Sequence, residues 1–229
     1  MRLAQILFSQ GFGTRRVCAG LIAQGLVRWQ GAVLHDPQQE LPTAGLVLQV
    51  QGRDWPYREH ALLMLHKPAG YECSQKPRHH PSVMSLLPEP LRQRGVQPIG
   101  RLDEDTTGLL LFTDDGGLIH RWTSPRHHLP KVYQIGLRHA ASEVQIAALL
   151  AGVVLDDEPT PVRAAACVAT DERALQLTLL EGKYHQVKRM VAASGNRVDT
   201  LHRSQFGRLV LPHDLAPGQW RWVDAAEVD

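Results

Sequence analysis

Cysteine is scarce in this chain of 229 residues, and long hydrophobic runs are absent from it. The three cysteines lie far apart, at positions 18, 73 and 167, which argues against a disulfide framework and against a cysteine-rich metal site. No apolar segment approaches the roughly 20 residues that a membrane-spanning helix needs. The first ten residues lack the apolar core and small-residue cleavage site of a secretory signal. We therefore expect a cytoplasmic protein with no membrane partner.

Charge is nearly balanced over the chain, with a formal net charge of +2, but the two signs are segregated along it. Residues 120–139 contain four Lys or Arg, four histidines and no acid, and residues 182–208 contain six Lys or Arg against Asp199 alone. Acids gather instead at 103–115 and 156–158. Segregated basic segments indicate a surface for a polyanion. The alternative is an ordinary solvated surface, which such runs form more often when they are considered alone.

The first 57 residues predict a small unit that begins with two helices. A short helix is expected at residues 3–8. Thr14 is a favourable N-cap for a second helix from residue 15 to about 24, and Gly25 is a favourable stop. The apolar residues that would share one face of this second helix are Val17, Leu21 and Ile22.

Extended segments follow these two helices. Residues 26–29 and 32–34 predict a hairpin closed by Gln30-Gly31, and a further strand is expected at residues 46–50. The Gly, Asp and Pro residues between 52 and 60 predict a linker to a second part of the chain.

The second part mixes strands and helices without regular βαβ alternation. Strands are expected at residues 61–65, 109–112, 132–137, 175–179 and 198–201, helices at 142–152 and 184–194, and a loop at 75–90. With 43% hydrophobic residues, the chain can build a substantial core. The sequence predicts the α+β class, with a mostly antiparallel mixed sheet flanked by helices.

One carboxylate has an unusual setting. Asp103 lies between Arg101 and a turn, directly before the apolar run at residues 109–112. This arrangement predicts an acid at the mouth of a packed sheet, where binding and catalytic groups are often found. The simpler alternative is a turn-forming residue, which is the usual role of a lone Asp before a strand.

The same segment has a second possible interpretation as a calcium loop. Asp103, Asp105 and Gly108 occupy EF-hand positions, with Asp114 at the twelfth position of the loop. That position requires a bidentate Glu, and an amphipathic helix must lie on each side of the loop. The apolar run at 109–112 predicts a buried strand instead, so we expect no calcium here.

Two histidine pairs also invite a metal interpretation. His79-His80 and His127-His128 are adjacent pairs, with no Cys or Glu at a metal-ligand spacing. Because the second pair lies in an Arg-rich segment, we expect His127 and His128 to face phosphates. The sequence therefore predicts no metal.

Residues 100–116, GRLDEDTTGLLLFTDDG, resemble the catalytic signature of the RsuA-type rRNA pseudouridine synthases. Lys131-Val132-Tyr133 and residues 181–190, EGKYHQVKRM, resemble further segments of that family in the same order. The resemblance covers essentially the whole chain. It implies an alpha-L RNA-binding domain at residues 1–57 and a catalytic domain of the pseudouridine synthase fold at residues 58–229.

The resemblance also implies roles for particular side chains. Asp103 would carry the chemistry as nucleophile or base, and Tyr133 would stack on the extruded uracil. Lys188 would be the basic partner that keeps the acid ionised, and Arg189 is the second choice for that partner. The residues expected to bind RNA are Arg15, Arg16, Arg101, Arg126, His127 and Arg189.

Each of these roles has a simpler structural alternative. Asp103 could form a turn, Tyr133 could pack in the sheet, and Lys188 and Arg189 could be solvated helix charges. All of these alternatives would have to hold while three family segments occur in order by chance.

The implied reaction is isomerisation of one uridine in 16S rRNA, uridine 516 by the resemblance. No step needs a redox centre or an activated group, so no cofactor is expected. The expected partner is 16S rRNA or a small-subunit precursor particle, bound by a monomer. Residues 124–128, SPRHH, and the lack of a basic tail favour the small subunit. The alternatives are a large-subunit rRNA pseudouridine synthase and a non-catalytic RNA-binding assembly factor.

Overall fold

The computed structural model describes the backbone of all 229 residues and every side chain except that of Pro125. The chain divides into two compact units. The first contains Met1–Ala61 and Leu87–Gln97, and the second contains Leu62–Leu86 and Pro98–Asp229. Residues 87–97 therefore belong to the first unit, although they lie far outside the range predicted for the RNA-binding domain.

The first unit consists of three helices and one small antiparallel sheet. Its elements are α1 (Leu3–Ser9), α2 (Arg15–Ala23), β1 (Val27–Trp29), β2 (Ala32–Val33), β3 (Val47–Val50), β4 (Arg53–Pro56) and α3 (Glu89–Gln93). The strand order is β2-β1-β3-β4. β4 lies in the segment predicted as a linker, and that prediction was wrong. Gln51 and Gly52 both take positive φ angles, so the chain turns back and pairs β4 with β3 as a hairpin.

Helix α2 has the predicted ends but a different buried face. The Thr14 hydroxyl accepts a hydrogen bond from the Val17 amide, and Gly25 follows the helix with φ +70°. Val17 was predicted to share one helical face with Leu21 and Ile22, but it is 49% exposed and does not belong to their buried face. Cys18 is buried instead, because positions 18, 21 and 22 form the stripe that faces the sheet.

The second unit is built on one large sheet. Its elements are β5 (Leu62–Lys67), β6 (Gln97–Ile99, which continues from the first unit), β7 (Thr107–Thr113), α4 (Gly116–Thr123), β8 (Lys131–Leu137), α5 (Glu143–Ala151), β9 (Ala166–Asp171), β10 (Ala174–Leu179), α6 (Gln186–Ala193), β11 (Val198–Phe206), β12 (Leu209–Val210) and β13 (Trp220–Trp222). The strand order is β13-β5-β7-β11-β8-β10-β9, with β12 on β11 and β6 on β7. Only the β7–β11 pair is parallel among the neighbours whose register the structure describes, which confirms the α+β, mostly antiparallel prediction.

Several boundaries in this unit differ from those predicted. The predicted loop at 75–90 contains a 3₁₀ turn at Val83–Leu86 and the start of α3. Helix α6 begins at Gln186 rather than at 184, because His185 has a left-handed backbone with φ +46°. The Ser142 hydroxyl caps α5 by accepting a hydrogen bond from the Gln145 amide, and the Gln145 side chain donates to the Ser194 hydroxyl.

Gly108 marks the closest approach of the two parallel strands. It pairs with Arg203 of β11, and a Cβ atom at Gly108 would lie 2.2 Å from the Arg203 carbonyl oxygen and 2.7 Å from its nitrogen. The backbone at Gly108 also has φ +108°, where side chains are strained. We expect Gly108→Ala to lower the free energy of unfolding by about 3 kcal/mol, measured by urea denaturation.

Gly116→Ala is the matched control for this substitution. Gly116 begins α4, and nothing lies within 4 Å of its Cβ position. It should change stability by less than about 1 kcal/mol. Equal effects of the two substitutions would contradict the assigned contact at Gly108.

Candidate active site

A cleft with a volume of about 740 Å³ lies in the second unit. Its wall includes the loop before β7, part of β8, the start of α6 and part of β11. The side chains in this wall that matter for chemistry are Arg101, Asp103, Tyr133, His185, Lys188 and Arg203. The three segments that resembled the family in sequence therefore meet in one place, although more than 80 residues separate the first from the last.

Asp103 has two basic neighbours in this cleft. Its side chain is 28% exposed; Oδ1 lies 3.1 Å from Nε2 of His185 and Oδ2 lies 3.8 Å from Nζ of Lys188. The structure thus brings Lys188 to the predicted acid. A positively charged group therefore lies beside the carboxylate that is expected to react.

Lys188 is shared between two carboxylates. Its ammonium nitrogen donates to both carboxylate oxygens of Asp105, at 2.6 and 2.8 Å, and is nearer to them than to Asp103. Burial acts to raise the pKa of Asp105, but the hydrogen bond and charge of Lys188 outweigh it and lower that pKa. Asp105 therefore stays charged, and it holds the lysine beside Asp103.

His185 is a cleft residue that the sequence reasoning missed. Its ring stacks on the Tyr184 ring, with centroids 3.9 Å apart and planes at 16°, and its Nε2 reaches Asp103. Sequence periodicity placed it inside a helix, whereas the structure places it just before α6 in a left-handed conformation. The signal that was available is its spacing of three residues before Lys188 at the start of that helix.

A buried lysine fixes the loop that contains Asp103. Lys67, at the end of β5, is fully buried, and its ammonium nitrogen donates to the carbonyl oxygens of Pro68, Glu104 and Thr106 at 3.1, 3.2 and 2.8 Å. Burial lowers the pKa of Lys67, and nearby acidic groups oppose that effect. Because two of these carbonyls belong to residues within three positions after Asp103, the lysine fixes the backbone that carries the carboxylate.

Arg189, the second choice as partner of Asp103, does not contact it. Its guanidinium binds Asp157 and also donates to the Tyr184 carbonyl oxygen at 3.0 Å. That alternative was therefore wrong. Consecutive helical residues point about 100° apart, so only one of Lys188 and Arg189 can face the cleft.

The other residues expected to bind RNA are exposed. Arg101 lies in the cleft wall, two residues before Asp103. Arg126 and His127 lie in an exposed 3₁₀ turn after α4. In the first unit, Arg15 and Arg16 open α2, and the Arg15 guanidinium lies 5.5 Å from the centre of the Phe8 ring.

A carboxylate closes the loop that lines one side of the cleft. Glu72 accepts hydrogen bonds from the backbone amides of His79, His80 and Arg78, at 2.8, 2.9 and 3.1 Å. These three bonds lower the pKa of Glu72 to about 2. The loop from 72 to 80 is thus held closed by a charged group.

This arrangement predicts how the loop responds to acid. Since the folded pKa lies below the value of about 4.3 for a free Glu, the stabilisation is present above pH 4.3 and is lost as the pH falls through about 2. We expect Glu72→Gln to accelerate hydrogen exchange of the amides at residues 78–80 at neutral pH. Glu172→Gln, at an exposed position, is the control. Unchanged exchange in Glu72→Gln would contradict the closure by this carboxylate.

The described part of the chain offers neither a metal-binding cluster nor a helix suited to crossing a membrane. No group of three or more His, Cys, Asp or Glu side chains in that part is placed to hold a metal ion. None of its helices combines the length and the apolar character that crossing a membrane requires.

Comparison with known proteins gives a consistent result. The sequence model of the RNA pseudouridylate synthase family matches residues 61–193. The chain is 39% identical to ribosomal small subunit pseudouridine synthase A of Yersinia pestis, over 100% of this chain and 97% of the relative. It is 36% identical to the uncharacterized RNA pseudouridine synthase YtzG of Bacillus subtilis, over 100% of this chain and 97% of that relative. A crystal structure of a pseudouridylate synthase matches with a TM-score of 0.70 and 34% identity, over 100% and 98% of the two chains.

Fold and comparisons together define an isomerase of the pseudouridine synthase class. The chain belongs to the RNA pseudouridylate synthase family. The RsuA-type resemblance predicted from the sequence around Asp103 is thereby confirmed.

Proposed function

We propose that this protein converts one uridine of 16S rRNA to pseudouridine, with Asp103 as the reacting group. The observation that carries the proposal is the Asp103 carboxylate between His185 and Lys188, in a cleft that Tyr133 also lines. The names of full-length relatives, which specify the ribosomal small subunit, support the choice of RNA. By the resemblance, the target is uridine 516.

The cleft residues divide the reaction among them. The target base leaves its stack and lies against the Tyr133 ring, because aromatic faces hold extruded RNA bases. Asp103 acts at the ribose, either by bonding to C1′ or by removing a proton from C2′, with the Lys188 ammonium group beside it. The bond between C1′ and N1 breaks, the uracil turns, and a bond between C1′ and C5 forms. The atoms of substrate and product are the same.

The remaining basic residues position the RNA. Arg15 and Arg16, in the proposed RNA-binding domain at residues 1–57, contact phosphates, as do Arg126 and His127 in the catalytic domain at residues 58–229. Arg101 contacts the RNA next to the target, and Arg189 contributes charge nearby. Phosphate contacts release counterions, so binding weakens as salt is raised. We propose that a monomer performs this reaction in the cytoplasm.

The test is pseudouridine mapping on four substrates incubated with the purified protein. They are transcripts of 16S and 23S rRNA and the precursor particles of the small and large subunits. The proposal expects one new pseudouridine, at uridine 516, in a small-subunit substrate. Product in 23S rRNA alone would establish the large-subunit alternative, and tight binding without any product would establish an assembly factor.

A further inference from the structure

Arg203 is a buried cation whose hydrogen bonds are incomplete. Its side chain on β11 is 2% exposed, and its Nε donates to the Leu109 carbonyl oxygen at 2.8 Å. Its Nη2 is buried and has no hydrogen-bond partner among the residues that the structure describes. A buried donor without an acceptor is destabilising. This unpaired donor therefore suggests that a bound ligand supplies the acceptor.

Arg203 lies beside Tyr133, the side chain proposed to stack on the extruded uracil. It is the register partner of Tyr133 on the neighbouring antiparallel strand β8, and directly opposed residues project to the same face of a sheet. Lys131, two residues before Tyr133, projects to that face as well. All three side chains line the cleft that contains Asp103.

Arg203 and Lys131 form a cationic pair on one aromatic ring. The Arg203 guanidinium carbon and the Lys131 ammonium nitrogen lie 5.4 and 5.3 Å from the centre of the Phe206 ring. Lys131 donates to the Leu129 carbonyl oxygen at 3.0 Å. Within the described structure, neither cation has a carboxylate within ion-pair distance. Burial and the charge of Arg203 lower the pKa of Lys131 to about 8, with Glu181 opposing them.

We propose that Arg203 and Lys131 bind the carbonyl oxygens of the extruded uracil and stabilise the charge that this base gains during the reaction. The proposal rests on the proposed function. Both side chains are hydrogen-bond donors only, and uracil presents acceptor oxygens at O2 and O4. Cytosine carries an amino donor in place of O4, so the same pair opposes cytidine.

The charge arises when the bond between C1′ and N1 breaks. The electron pair of that bond stays with the uracil and is delocalised over O2 and O4. C1′ is taken up by Asp103, or C2′ gives Asp103 a proton. When C5 then bonds to C1′, the bond from C1′ to Asp103 breaks, or C2′ takes its proton back from Asp103. C5 loses its proton and N1 gains one, so the carboxylate is regenerated and nothing is oxidised or reduced. Fixed cations at the oxygens stabilise the departing base.

The experiment changes the RNA and the protein together. The target uridine is replaced by 2-thiouridine or 4-thiouridine, since sulfur is a poor hydrogen-bond acceptor. For the wild type, we expect at least one thiolated RNA to lower the single-turnover rate by roughly 10- to 100-fold, as for loss of a hydrogen bond to a charged group. For Arg203→Lys, acting on unmodified RNA, we expect a comparable loss. In Arg203→Lys, replacing oxygen by sulfur should lower the rate only a few-fold further, because the arginine that bound this oxygen has already been removed.

Arg221→Lys on β13 is the matched control, since this arginine is 46% exposed. It should keep both the wild-type rate and the full sulfur penalty. If Arg203→Lys fails to fold, the same rates on unmodified and thiolated RNA are measured for Lys131→Met instead. A sulfur penalty that is the same in the wild type and in the folded Arg203 or Lys131 variant overturns this proposal alone. Absence of product from wild type on unmodified RNA overturns the proposed function instead.

Discussion

Asp103→Asn is expected to lower the single-turnover rate of pseudouridine formation by roughly 10³- to 10⁴-fold. The amide preserves the shape of the side chain but can act neither as a nucleophile nor as a base at the ribose. RNA affinity should stay within about threefold of wild type, because phosphate contacts by exposed cations provide most of the binding. The measurement pairs pseudouridine quantification with filter binding on the same RNA.

Substitutions of two further aspartates serve as controls for the Asp103→Asn result. Asp105→Asn removes the nearest partner of Lys188, at 2.6 Å, and leaves the lysine with Asp103 alone. We expect a loss of less than about tenfold, since the reacting carboxylate is intact. Asp171→Asn, at an exposed position at the end of β9, should leave the rate unchanged. Full activity of Asp103→Asn, or equal losses in the variants of Asp103 and Asp105, would exclude Asp103 as the reacting group.

The elements that the sequence predicted well carry local signals of their own. β7 was predictable because Leu109–Phe112 is an uninterrupted apolar run, and all four residues are fully buried in the sheet. The ends of α2 were predictable because Thr14 and Gly25 have side-chain and backbone preferences that act within a few residues.

The elements that were missed depend on distant partners. β13 has only three residues, and it exists because Trp220–Trp222 pairs with β5, about 155 residues earlier in the chain. β4 follows a turn in which Gln51 takes a positive φ, which no property of a Gln residue announces. Both strands form because they pair with other strands of the fold, and these pairings cannot be inferred from the local sequence alone.

Some residues of the site could likewise be predicted from the sequence, and others could be found only in the structure. Asp103, Tyr133 and Lys188 were named through the family resemblance, and the structure brings all three to one cleft. His185 and Arg203 were not named, because their importance lies in what surrounds them. His185 matters through its contact with Asp103. Arg203 matters because it is buried opposite Tyr133.

Lys67→Met is expected to damage both the stability and the activity of the protein. Methionine fills much of the same volume but leaves the carbonyl oxygens of Pro68, Glu104 and Thr106 without the ammonium donor. Losing these charge-assisted hydrogen bonds from a fully buried site should lower the free energy of unfolding by about 2–4 kcal/mol. Thermal unfolding should therefore begin roughly 5–12 °C lower than in the wild type.

The activity of this variant distinguishes a positioning role from a purely structural one. Measured well below its unfolding temperature, Lys67→Met should still form pseudouridine about 100-fold more slowly than wild type, because a displacement of about 1 Å at the reacting group has an effect of that size. Lys76→Met, in an exposed loop, should change neither property. A folded Lys67→Met protein with wild-type activity would mean that the Asp103 loop holds its conformation without this lysine. The loop would then depend on contacts such as the hydrogen bond from the Gly70 amide to the Glu104 carbonyl oxygen, at 2.7 Å.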